Sequence, residues 1–183
     1  MYTKIIVPLD GSALAESVLP HVVSIAKSSG TEEVILITVT ERFNDLVRNN
    51  VLGKPSITSH EYKPAVAFAD RPYSGRPFEI DKTLKIPLVS GKILKQGQVY
   101  LTKVAEQLVN KGIKTGIAVL MGDAAEQIID FAGAEKADLI IMASHGRSGF
   151  SRWALGSVAY TVFHGSSVPI LLVKNLPEEL KTE

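Results

Sequence analysis

Two short segments of this chain carry residue types and spacings suited to holding a ligand. The first is Asp10, which closes the apolar run Lys4-Ile-Ile-Val-Pro-Leu9 and precedes Gly11-Ser12. A carboxylate beyond the end of a strand can accept hydrogen bonds from ribose hydroxyls, as acidic residues do in dinucleotide folds, or it can cap its own turn. The second is Met142-Ala-Ser-His-Gly146, continued by Arg147-Ser-Gly149 and, with nine residues between it and Gly146, by Gly156-Ser157. Backbone N–H groups of His145, Gly146 and Arg147 in such a loop, with a helix starting at Ser157, offer an anion a cradle of amides and the positive end of a helix dipole. Glycines also serve ordinary turns, so this pattern alone leaves both readings open. Other chemistries lack their key residues. The chain has no Gly-x-x-x-x-Gly-Lys-Ser/Thr, no Gly-x-Gly-x-x-Gly and no His-Glu-x-x-His. Ser144 and His145 are adjacent, but adjacency does not itself place a hydroxyl on the neighbouring imidazole, and no nucleophile elbow surrounds them. His21, His60 and His164 are scattered and have no metal-ligand spacing.

The elements that must position these residues follow from hydrophobic periodicity. Lys4–Leu9, Glu33–Val39, Ile113–Leu120, Asp138–Ala143 and Val168–Val173 are short, β-branched apolar runs bounded by turn residues, the pattern of buried strands. Between them, Leu14, Val18, Val22, Ile25 and Ala26 recur at helical spacing, with Pro20 requiring a kink or a restart. Leu101, Val104, Ala105 and Leu108 mark a second helix ended by Gly112. Asp123 with Glu126 resembles a capping box opening a third, and Ser157 to His164 form a fourth. Alternating strands and amphipathic helices predict a doubly wound α/β fold, a five-stranded parallel sheet covered on both faces. In such a sheet ligands lie beyond the carboxyl ends of the strands where strand order reverses, which would bring Asp10 and the 142–146 segment to one crevice.

Residues 40–98 break the alternation and are expected to be an insertion in a single domain spanning 1–183, between the second strand and the second helix. This stretch holds five of the nine prolines and ten Lys/Arg against six Asp/Glu, within a chain of net charge +1. Leaving next to Val39, it is placed either over the crevice as a lid or on the outer face or a partner subunit. The near-neutral whole gives no support to strong nucleic-acid or anionic-membrane binding. Zero cysteines exclude disulfides, thiol catalysis and Cys-ligated metal sites. No apolar run approaches the roughly 18 residues of a membrane span, and the first residues lack a secretory h-region, so a cytoplasmic location is expected.

The run Met142-Ala-Ser-His-Gly-Arg-Ser-Gly-Phe-Ser-Arg-Trp-Ala-Leu-Gly-Ser-Val-Ala159, with Val168-Pro-Ile-Leu-Leu-Val173 and the opening Ile6-Val-Pro-Leu-Asp-Gly-Ser12, resembles the signature of the universal stress protein family. The resemblance covers roughly residues 1–40 and 98–174. It implies sheet order 3-2-1-4-5 and, in ATP-binding members, a pattern Gly-x-x-Gly, nine residues, Gly-Ser/Thr. Here Ala143 stands at the first glycine, while Gly146, Gly156 and Ser157 match. The resemblance assigns Asp10 to ribose, Val39 to adenine, and Gly146, Gly156 and Ser157 to phosphates. It adds Pro8, Met142, Ala143, His145, Arg147, Val158 and Ala159 as neighbours in the same site. Mg2+ would arrive with the phosphates. It also implies a homodimer paired through the last strand, 168–173. Three readings stay open: an ATP-binding sensor that acts on an unknown protein partner, a nucleotide-independent interaction protein of the same fold, and a nucleotide-using enzyme completed by the insertion. No residue presents itself as a base to orient water, so any ATP hydrolysis is expected to be slow.

Overall fold

The computed structural model describes residues 1–40, 67–68, 88–145 and 155–174. Its sheet consists of β1 (Lys4–Pro8), β2 (Glu33–Thr40), β3 (Ala67–Phe68), β4 (Thr115–Met121), β5 (Leu139–Ala143) and β6 (Ile170–Val173), in the order β3-β4-β2-β1-β5-β6. The helices are α1 (Ala13–Glu16), α2 (Leu19–Ser29), α3 (Leu88–Val109), α4 (Ala124–Ala134) and α5 (Ser157–Gly165). β1, β2, β4, β5 and β6 pair in parallel, which is the 3-2-1-4-5 order expected.

Each strand distributes its side chains by parity, as a period of two requires. Ile5, Val7, Val34, Leu36, Ile117 and Val119 pack under α2 and α3, against Val18, Val22, Leu101 and Leu108. Ile6, Ile35, Ile37, Ala118, Leu120 and Ile140 face α4 and α5, against Ile128, Phe131, Ala159 and Val162. A sheet buried on both faces reads as continuous apolar runs, and these strands do.

Pro20 resolves as a restart. α1 is a single turn whose N-cap, Ser12, accepts a hydrogen bond from the Ala15 N–H, and α2 begins at Leu19 with Pro20 in its first turn, where a missing N–H is harmless. Asp123 caps α4 by accepting from the N–H groups of Ala125 and Glu126, at 3.0 and 3.1 Å.

Two features differ from expectation. The helix after the insertion begins at Leu88, so residues 88–98 are helical and the boundary at 98 was too late. Leu94, buried seven positions before Leu101, extends the same apolar stripe, and Gly97 obscures it in sequence. The glycine has a packing reason: a Cβ there would stand 3.1 Å from both Thr38 Cγ2 and Val119 Cγ1, so α3 approaches the sheet closely. The insertion also contributes β3, which pairs antiparallel with the outer edge of β4 through Ala67↔Val119 and Phe68↔Ala118. Covering an open strand edge satisfies its backbone groups. No helix among the described residues is long and apolar enough to cross a membrane.

Candidate functional site

Chain order reverses at β1, which lies between β2 and β5, and beyond the carboxyl ends of these strands is a cavity of about 420 Å³. β1 and its following turn supply Pro8, Leu9 and Asp10 to its wall, β2 supplies Ile37 and Val39, and β5 with its following turn supplies Met142, Ala143 and His145. The first turn of α5 adds Gly156, Ser157, Val158 and Ala159, while Ala15, Ala124 and Ile128 complete the lining. Ten of the candidate residues named from sequence therefore meet in one place. The other two, Gly146 and Arg147, lie outside the described residues, as do residues 41–66 and 69–87 of the segment considered as a lid. Leu9, Ala15, Ile37, Ala124 and Ile128 were missed. Ile37 had a usable signal, since it shares the strand face of Val39 two positions on, and so had Leu9, which stands between Pro8 and Asp10; Ala15, Ala124 and Ile128 reach the cavity through helix packing.

The apolar wall belongs to the α4/α5 side of the sheet, where Val39, Val158, Ala159, Ile128 and Met142 join the core. The polar rim is built differently. Asp10 Oδ1 accepts from the Ser12 N–H at 2.9 Å and from Ser12 Oγ at 2.6 Å, while Ser12 Oγ accepts from the Ala15 N–H at 3.1 Å. The turn-capping alternative for Asp10 is thus realised, and its residue still lines the cavity. Gly11 between them has φ +82°, a conformation that favours glycine.

Opposite Asp10, the Gly156 N–H donates to Ser144 O at 2.9 Å and the Ser144 N–H to Val173 O at 2.9 Å, fixing the start of α5 against the ends of β5 and β6. Gly156 is the N-cap of this nine-residue helix and supplies no side-chain acceptor. The first amides of a helix have no partners within it, and Gly156 to Ala159 line the cavity, so this end of α5 suits an anion.

Ser144 Oγ lies 3.0 Å from His145 Nδ1, so the adjacent pair does interact. Ser144 is nevertheless buried and absent from the cavity wall, which removes it as a nucleophile toward a ligand there. His145 Nε2 is buried with no partner among the described residues. No cluster of three or more His, Asp or Glu side chains suited to a metal occurs among the described residues.

A family model described as the universal stress protein family matches residues 1–174. The chain belongs to the universal stress protein family. It is 29% identical over 179 residues to the universal stress protein MJ0531 of Methanocaldococcus jannaschii, covering 98% of this chain and 86% of that one. The solved structure of MJ0577, from the same archaeon, aligns with a TM-score of 0.68 at 26% identity over 97% of this chain and 99% of that one. A universal stress protein solved in complex with cAMP aligns with a TM-score of 0.56 at 16% identity, over 94% of this chain and 96% of that one. A member from Arabidopsis thaliana with AMP bound aligns with a TM-score of 0.56 at 12% identity, over 99% and 97%. At those identities the last two share the fold.

Proposed function

We propose that this member of the universal stress protein family binds an adenine nucleotide, ATP in the first instance, and acts as a nucleotide-dependent module on a protein partner in the cytoplasm. The observation that carries this reading is the convergence of three chemistries on one cavity: an apolar slot, a carboxylate, and a helix start without a side-chain cap. Val39 and its neighbours suit a flat base, Asp10 suits ribose hydroxyls, and the first turn of α5 at Gly156 and Ser157 suits phosphates. The family relatives solved with cAMP and with AMP support an adenine nucleotide as the class of ligand. Mg2+ would be carried by the phosphates. A homodimer paired through β6 belongs to the same reading.

Ala143 favours a second reading. It lines the cavity where the resemblance puts a glycine, and a nucleotide-independent interaction protein would tolerate that. Calorimetric titration with ATP, AMP and GTP separates the readings. Tighter binding of the adenine nucleotides is expected. Equal affinity for GTP removes the base-specific role of Val39, and no binding at millimolar concentration favours the interaction module.

A further inference from the structure

The turn from β1 into α1 is short of regular support. Gly11 is in a left-handed conformation and α1 is one turn long, too short to be stable by itself. Asp10 and Ser12 brace each other within the turn, and α3 reaches the same corner from the far side of the insertion. The Tyr100 hydroxyl donates to Glu16 Oε1, the last residue of α1, at 3.0 Å. The half-buried Tyr100 ring packs against the core beneath α2 and α3, which limits where its hydroxyl can go. Burial, the bond to Glu16 and the charges of Glu16 and Asp10 push the phenol well above its ordinary range, and the Gly11 amide opposes them in part. The hydroxyl therefore remains a proton donor throughout the physiological range.

We propose that Tyr100 is a positioning residue for the nucleotide site: by tying Glu16 to α3 it sets the place of the β1–α1 corner, and with it the Asp10 carboxylate that faces the ribose. This rests on the reading of the cavity as an adenine-nucleotide site. It also gives the site a mechanical link to the helix that carries the chain back from the insertion, since a displacement of α3 would be felt at the β1–α1 corner through the Tyr100 hydroxyl, which meets both Glu16 and the Gly11 amide.

The test is calorimetry of the full chain with ATP and with 2′,3′-dideoxy-ATP, which lacks the ribose hydroxyls. Wild type is expected to bind ATP more tightly than the dideoxy analogue. Tyr100→Phe, which removes one oxygen and leaves the ring, is expected to weaken ATP by about fivefold to tenfold and the analogue hardly at all. In an Asp10→Ala background Tyr100→Phe is expected to add no further loss, because it acts through Asp10. Glu16→Ala breaks the same bond from its other end and serves if Tyr100→Phe does not fold. Glu16→Gln, which keeps an acceptor oxygen, should retain more affinity than Glu16→Ala. Equal losses for both nucleotides, additive losses with Asp10→Ala, or wild-type affinity in folded Tyr100→Phe would each overturn the proposal while leaving nucleotide binding intact. Wild type that binds neither nucleotide would end both the site reading and the role built on it.

Discussion

Gly97 lets α3 lie close to the sheet, and replacing it sets two known effects against each other. Alanine in a helix interior is favoured over glycine by about 1 kcal/mol. Against that gain, the new Cβ would meet Thr38 Cγ2 and Val119 Cγ1 at 3.1 Å, inside the roughly 3.5–4.0 Å optimum for carbon contacts. Both neighbours are β-branched and stiff at χ1, both are buried, and they sit on adjacent strands, β2 and β4. Neither can swing aside, so the helix must move outward by a few tenths of an ångström, with overpacking of about 1–3 kcal/mol. Gly97→Ala is expected to come out between neutral and about 2 kcal/mol less stable, and Gly97→Val, with two more methyl groups and poorer helix propensity, to lose more than Gly97→Ala. Urea denaturation should show the midpoint falling with an unchanged slope. The displacement should also reach Tyr100, one turn further along α3, and weaken nucleotide binding more than a remote destabilising substitution does. A Gly97→Ala variant about 1 kcal/mol more stable than wild type would show that helix propensity wins and refute the close-packing account.

Asp10→Ala should lose the turn bonds to Ser12 and, if the proposed ribose role holds, weaken ATP by about 1.5–3 kcal/mol, whereas Asp10→Asn, which keeps an acceptor for Ser12, should stay closer to wild type in thermal unfolding than in calorimetric affinity. Asp138 accepts from the Thr3 hydroxyl and from the N–H groups of Lys4 and Thr3, which hold its carboxyl below the usual range. Its contribution is therefore complete above the unfolded carboxylate pKa of about 3.9 and is lost as pH falls through the lower folded value; Asp138→Asn should flatten the acid limb of the stability profile. β6 is an edge strand with Ile170, Leu171 and Leu172 half-buried, and light scattering at micromolar concentration should give about twice 19.8 kDa, with Leu171→Lys shifting the mass toward one chain; a monomeric wild type would sink the pairing. Asp123→Ala should reduce stability by about 1 kcal/mol through the loss of the α4 cap, read by thermal unfolding.

Much of the framework is local in origin and was readable for that reason. The strand at 4–8 announces itself by consecutive β-branched residues, α4 by Asp123 and the spacing of Ile128 and Ala132, and the restart of α2 by Pro20. The residues that line the cavity were readable because the topology of a doubly wound sheet, once inferred, dictates that Asp10 and the end of β5 open on the same crevice. The first turns of α3 were missed because Gly97 looks like a helix breaker when its packing partners are out of view. The two residues of β3 were missed because their pairing partner, β4, is about 50 positions away, and so short an element has no periodicity to read.

By itself the sequence determined the period of each element, the face each presents to the core, the caps that start α1 and α4 and the residue types gathered at the strand ends. Tertiary structure decided what those residues meet. Ile37, Ala124 and Ile128 enter the cavity wall because β2 and α4 pack across it, and Tyr100 reaches Glu16, 84 residues earlier, because α3 lies beside α1 over one face of the sheet. Periodicity and capping arise from interactions within a few residues along the chain, so they are written in local order. A hydrogen bond between distant elements depends on the distance and angle at which the core lets them pack, which no local pattern encodes.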